Sequence, residues 1–348
     1  MKKVFRALCL VAMVALVATS CKKNEETKSI AVNIGEVAGY QSNPDFDGAK
    51  AYFDPNDGYK VKWNQGDQIM VYNLSTSNPS ESECARFEAQ QGGSGHAQFA
   101  LADGESMGSK KDQIFVFFQA DKAERKVGAL KGNTETFEVL PTQTYDATYK
   151  MDPNAMVMAS ISDYAANNLG TFNMQHIFGF VNIGVAHNKP STAITVDKIV
   201  IRDAAWNLTG ELDLKLPEVD PQEFTSLMNQ LETYGPEDAN YVNHLNTYLQ
   251  TVGYHAHGNL GNSVTLLCNQ ALTYGQWTNF YIALRPGALY KGFTIEIYCN
   301  GSTTPTYYKT FTGIAMNHLI KPGYFRNFYF LTNTAYTDEG GFYMEQNN

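Results

Sequence analysis

Gly104-Glu105-Ser106-Met107-Gly108 is the first stretch whose residue types and spacing suit chemistry. Gly-x-Ser-x-Gly exposes a serine nucleophile when a strand feeds it onto a sharp turn that opens a helix. Only Ser109–Asp112 separates it from the apolar run at Ile114, which leaves no room for that helix, so a surface loop is the better reading. Asn43-x-Asp45-x-Asp47-Gly48, with Asp54 at the twelfth place, spaces alternate oxygens as a calcium loop does. It departs in having Asn first, Pro44 second and Asp last, with no helical pattern beside it, and an Asp/Gly-rich turn between strands competes. His255-x-His257 with His244 has no cysteine or acidic residue to complete a metal set, and Gly253 and Gly258 mark the region as loop. His176 lies in an apolar strand context and reads as a structural histidine. No phosphate loop or dinucleotide fingerprint is present. Scattered acids make no glycosidase pair without geometry. The chain is therefore expected to be no enzyme, and to hold neither metal nor cofactor.

One thiol remains. Lys2, Lys3 and Arg6 form a basic start, Ala7–Val17 is apolar, and Ala18, Thr19 and Ser20 run straight into Cys21. The apolar run is too short to span a bilayer and has the flanks of a cleaved secretory signal. A cysteine directly after the small residues resembles the lipobox of bacterial lipoproteins, in which that cysteine is acylated and becomes the mature N-terminus. An ordinary signal peptide that happens to contain Cys21 is the alternative. The expectation is a signal peptide over 1–20, lipidation at Cys21 and a charged tether over 21–28.

The elements beyond the tether must fit a chain of 348 residues, enough for two ordinary domains. Its net charge is −9; the leader carries three basic residues and no acidic one, so the mature chain stands at −12. Such a surface argues against nucleic acid, whose binders cluster Lys and Arg. Aromatics make up 13% of the residues, with Tyr and Phe prominent, which suits strands. With Cys9 in the leader and Cys21 acylated, Cys84, Cys268 and Cys299 remain, an odd count that reads as no disulfide framework. The alternations Val264-Leu266-Cys268 and Phe293-Ile295-Ile297-Cys299 point both thiols into a core; buried free cysteines and a Cys268–Cys299 bond both stay open.

Short alternating runs between turn clusters predict strands at Ile30–Ile34, Tyr59–Trp63, Ile69–Tyr72 and Phe137–Val139. Ala85–Ala89 and Ala97–Leu101 flank Gly92-Gly93-Ser94-Gly95 as a hairpin. Ile114–Phe118, apolar throughout, should be a central strand. His187–Ser191 is polar and turn-forming, which places a domain boundary between 29–187 and 188–348. Strands at this spacing predict an antiparallel β-sandwich in each. One segment breaks the rhythm: Asp220-Pro221-Gln222-Glu223 is a helix start, and two apolar stripes at helical spacing follow. A helical hairpin over 220–253, inserted in the second domain, is expected.

Several segments, in order, resemble the fimbrillin (type V pilin) family of Bacteroides-like bacteria. They are Trp63-Asn64-Gln65-Gly66-Asp67-Gln68-Ile69-Met70-Val71-Tyr72, Leu140-Pro141-Thr142-Gln143, Met156–Ala159 with Phe172–Phe180, and Phe280–Leu284 with Pro286-Gly287 and Gly292–Ile295. The resemblance implies a mainly β chain of two transthyretin-like sandwiches. It also implies an outer-membrane, surface-exposed lipoprotein acting in fimbriae and adhesion, whose partners are other fimbrial subunits or surface ligands met by strand addition. It further implies that stalk subunits lose their first strand to a protease cutting after arginine. Here the loop Ala38–Ala51 contains no arginine, so the chain is expected to keep that strand and to serve as an anchor, accessory or tip subunit. The other function class is a glycan-binding lipoprotein of a polysaccharide-uptake system, favoured if Trp206 and Trp277 line one concave surface.

Overall fold

Alternation over short runs bounded by Gly, Asn and Asp clusters favours paired strands, and the chain forms twenty-three of them among the described residues. The computed structural model describes residues 29–34, 52–54, 60–73, 84–105, 113–119, 134–163, 171–204, 206–215, 243, 247, 249–250, 254–256, 258–289, 293–311, 318–320, 325–332 and 342–344.

The first body is a closed ring of seven strands. β1 (Ser29–Ile34) opens it, and β2 (Tyr52–Asp54) and β3 (Lys60–Lys62) form a separate two-stranded ribbon. β4 (Gln68–Asn73), β5 (Cys84–Ala89), β6 (His96–Leu101) and β7 (Gln113–Gln119) follow. β8 (Thr134–Val139) and β9 (Thr142–Thr144) leave the ring, and β10 (Val157–Asp163) and β11 (Thr171–His176) return to it. The order around the ring is β1-β11-β10-β7-β4-β5-β6. β7 is central as expected, antiparallel to β4 and β10, with Val116, Phe117 and Phe118 buried. The β5–β6 hairpin also forms.

Trp63 is the pivot of this body. It is fully buried and meets Phe99 and Phe118 edge-to-face at 4.9 and 5.1 Å, pairs that add about 0.5–1.5 kcal/mol each beyond burial. The Asn64–Asp67 turn holds it there. Asp67 Oδ2 accepts the Asn64 N–H at 2.8 Å, and Gly66 has φ +86, a conformation that favours glycine.

The second body contains β12 (Gly179–Ala186), β13 (Thr195–Arg202), β14 (Gly210–Lys215), β15 (Tyr254–Ala256), β16 (Ser263–Ala271) and β17 (Trp277–Leu284). β18 (Gly287–Leu289), β19 (Thr294–Cys299), β20 (Tyr307–Thr310), β21 (His318–Ile320), β22 (Phe325–Leu331) and β23 (Phe342–Met344) complete it. One sheet runs β17-β12-β22-β23 and the other β20-β19-β13-β16-β9. Aromatic rings join them: Phe293 stacks on Phe311 at 4.3 Å, both meet Phe328, and Tyr307 meets Phe330 at 4.5 Å. β15-β14-β8 and β18-β21 are smaller sheets.

Three findings differ from expectation. The sheets are not purely antiparallel: β1–β11, β12–β22 and β9–β16 pair in parallel. The first body is a closed ring rather than two open layers, because β1 pairs with β6 on one side and β11 on the other. And pairing crosses residue 187, where the sequence suggested a boundary. β12 pairs on both sides with β17 and β22, β8 pairs with β14, and β9 pairs with β16. The polar turn at His187–Ser191 joins β12 to β13.

Of the expected helical hairpin, Asn243, Thr247, Leu249 and Gln250 are helical, Leu249 is buried, and the Thr247 hydroxyl donates to the Asn243 carbonyl at 2.9 Å. The rest of 220–253 lies outside the described residues. Cys84, Cys268 and Cys299 are buried and free. Cys268 and Cys299 sit on β16 and β19, which flank β13 on opposite sides. Two strand spacings, about 9–10 Å, exceed the roughly 7 Å reach of a disulfide between Cα atoms.

Candidate functional site

The lipidation residue Cys21 and the oxygens at 43–47 lie outside the described residues, as do Ser106, His244 and His257. Of the sequence candidates that are described, none gathers into a reactive group. Glu105 is tied to Arg86, its Oε1 taking the guanidinium Nε at 2.7 Å, which makes it a structural ion pair. Among the described residues no three His, Cys, Asp or Glu side chains are close enough to hold a metal. Nor is any described helix long and apolar enough to cross a membrane.

His176 is structural, as expected. It is buried against Phe180 at 5.3 Å; burial pushes its imidazole down to about 3, and a backbone hydrogen bond with Val157 opposes this weakly. The unfolded chain therefore binds a proton near pH 6.5 that the folded one refuses until about 3. Stability is full above pH 6.5 and falls as pH drops, by about 2 kcal/mol at pH 5. His176→Phe should flatten that dependence in thermal melts between pH 7 and 5; an equally steep decline in the variant would assign it elsewhere.

The features that bear on recognition are strand edges. Gln143, from the Leu140–Gln143 turn, is buried and acts as a substitute strand on the edge of β17. Its Nε2 donates to the Ala283 carbonyl at 2.8 Å, and its Oε1 accepts the Ala283 N–H at 3.0 Å. Two strand positions away the Tyr281 N–H donates to the Lys150 carbonyl at 2.9 Å. The same turn lays β9 against β16, so one segment covers an edge of both sheets. Sequence reading singled out this turn without seeing what its glutamine does; a polar amide two residues after a Leu-Pro strand stop was the available signal.

At the opposite border β22 is paired with β23, three residues of the tail, with Tyr329 opposite Tyr343. β20 pairs only with β19 among the described strands. β1 has partners on both flanks and is no edge: Ala31 lies opposite Thr171 in parallel and Gln98 in antiparallel register.

Trp206 and Trp277 part company. Trp206 is 4% exposed and packs on Gly287, where a Cβ would overlap its indole. Trp277 is 38% exposed and meets Tyr329 edge-to-face at 5.4 Å. The concave surface with both tryptophans does not exist. A further charge sits inside: Arg285 is buried, its Nη1 donates to the Asn207 carbonyl at 3.2 Å, and burial lowers it to about 10, so it stays protonated at neutral pH.

This architecture can be compared with solved structures. A candidate cell adhesion protein from Bacteroides ovatus aligns over 91% of this chain and 95% of its own, at 11% identity and a TM-score of 0.54. A second, from Bacteroides uniformis, aligns over 93% and 99%, at 11% identity and a TM-score of 0.51. The chain has the fold of these adhesion-type proteins. The similarity runs through both the ring and the paired sheets, since the alignments cover nearly the full length of each partner. Fimbrial proteins from Bacteroides and a fimbrial anchor protein, Mfa2 from Porphyromonas gingivalis, also align, the last at a TM-score of 0.37. The two adhesion-type neighbours are of the kind that the fimbrillin resemblance implied. No protein-family model and no curated protein sequence matches the chain.

Proposed function

We propose that the protein is a surface lipoprotein of fimbrillin type, anchored in the outer membrane through Cys21. It serves as an anchor, accessory or tip subunit that meets other fimbrial subunits by strand addition. The observation that carries this reading is β1, which pairs on both flanks and closes the ring. Removing it would open two rows of backbone groups at once, and those groups are costly to leave unpaired. With no arginine in Ala38–Ala51, that removal has no site of the implied kind. The full-length fold likeness to adhesion-type proteins supports the setting.

In this reading the chain comprises two transthyretin-like units, with the helical insertion at 220–253 elaborating the second. Catalysis has no part in it, and no metal or cofactor is called for. The rival reading, a glycan lipoprotein of polysaccharide uptake built on Trp206 and Trp277 together, loses its support with Trp206 buried.

Gel analysis of unheated surface extract tests the role. A subunit that keeps β1 should form no regular ladder of its own, even where it runs unheated in a complex with another subunit. Heat-labile ladders carrying this protein would instead make it a polymerising stalk subunit.

A further inference from the structure

The sheet β17-β12-β22-β23 ends in a group of aromatic side chains that the fold does not need for its core. Trp277 starts β17, and its ring is the one tryptophan ring among three that reaches solvent, since Trp63 and Trp206 are buried. Tyr274, three residues earlier in the turn, is 58% exposed and meets the His187 ring at 5.8 Å. His187 follows Ala186, the residue opposite Trp277, so the turn and the sheet end are one locality.

Gly184 explains how the platform is built. It lies opposite Asn279 on one side and Tyr329 on the other. A Cβ on Gly184 would stand 2.7 Å from the Tyr329 ring and 3.2 Å from the Asn279 Oδ1. The missing side chain lets Tyr329 lie down across β12, where it meets Trp277 edge-to-face at 5.4 Å. One rung away Asn182 and Asn327 are buried and joined by an Nδ2–Oδ1 hydrogen bond of 3.0 Å, which closes the platform on that side. An exposed indole braced by a tyrosine is a costly way to make a surface, because large exposed aromatics gain nothing by burial.

We propose that Trp277, Tyr329 and Tyr274 form a stacking platform for a neutral oligosaccharide. The flat indole suits the apolar C–H face of a pyranose ring, and the exposed Gln276 amide and the phenols suit its hydroxyls. Tyr274, Gln276 and Trp277 at the surface, with the half-buried Tyr329 beside them, are all uncharged residue types. On a chain of net charge −9 this favours an uncharged ligand over an anionic glycan or lipid surface. The platform shares no residue with the β1 seam and stands independently of the strand-addition reading.

Tryptophan fluorescence of the folded protein reads this directly, because only one of its three indoles faces solvent. Maltohexaose, cellohexaose and mannohexaose are the neutral probes, and hexagalacturonate is the charged control. At least one neutral hexamer should give a saturable blue shift and protect the indole from acrylamide quenching at millimolar concentration or below. Hexagalacturonate should give no saturable change. Trp277→Ala should abolish the signal and also the retention of the protein on the immobilised glycan, with its melting temperature unchanged. Tyr329→Phe should keep binding and Tyr329→Ala weaken it about tenfold. No saturable shift with any neutral hexamer up to ~10 mM would overturn the proposal, as would retention unaffected by Trp277→Ala.

Discussion

Gln143→Leu should lower the stability of the protein by about 3 kcal/mol, the largest loss expected from any single side chain described above. Leucine fills a similar volume, so packing is nearly kept and the effect isolates the amide. Two backbone groups of Ala283 lose their partners inside the protein, and each buried orphan costs about 1–3 kcal/mol. Because the same turn carries β9 onto β16, loosening it also frees the edge of the second sheet. Gln143→Glu should be no rescue: it keeps an acceptor for the Ala283 N–H, loses the donor and buries a charge. Thermal melts should show the leucine variant down by roughly 5–10 °C. A shift within error would mean that the Ala283 edge is satisfied without Gln143, and the account of this turn would fail.

The second large effect is all-or-none. Cys21→Ala removes the thiol that the proposed acylation needs. Stable membrane attachment takes more than one acyl chain, and a variant without the cysteine has none. The variant should be found uncleaved or in the soluble fraction after cell breakage, while the wild type stays with the membranes. A variant that remains in the membrane fraction at the normal mature mass would remove the lipoprotein reading and leave the ordinary signal peptide. The experiment is independent of the Gln143 test, since it reads membrane attachment and not thermal stability.

Sequence patterning recovered what is local. The strand at Ile114–Phe118, the hairpin around Gly92–Gly95 and the burial of Trp63 all follow from alternation and turn residues a few positions apart. It missed what is distant. Nothing in Ser29–Ile34 says that its two neighbours are β6 and β11, because pairing partners more than sixty residues away leave no mark on a strand's own pattern. The same holds at residue 187: a polar turn looks alike whether it joins two strands or two domains, and the pairing of β12 with β17 and β22 leaves no trace in it. The burial of Trp206 likewise leaves no mark on its own sequence neighbourhood. Its burial depends on Gly287, eighty residues on, where the missing side chain makes room for the indole. Gly184 serves Tyr329 in the same manner. The recognition features, a glutamine serving as a strand and an aromatic ring lying over a glycine, are products of tertiary contact and so were legible only in part.

The central claim is that the mature protein keeps β1 and stays on its lipid. Intact-mass and N-terminal analysis of the protein extracted from the cell surface tests it most directly. The account predicts a blocked N-terminus at an acylated Cys21, with Ser29–Ile34 present in the chain. A free N-terminus inside Ala38–Ala51, with the first strand gone, would contradict it.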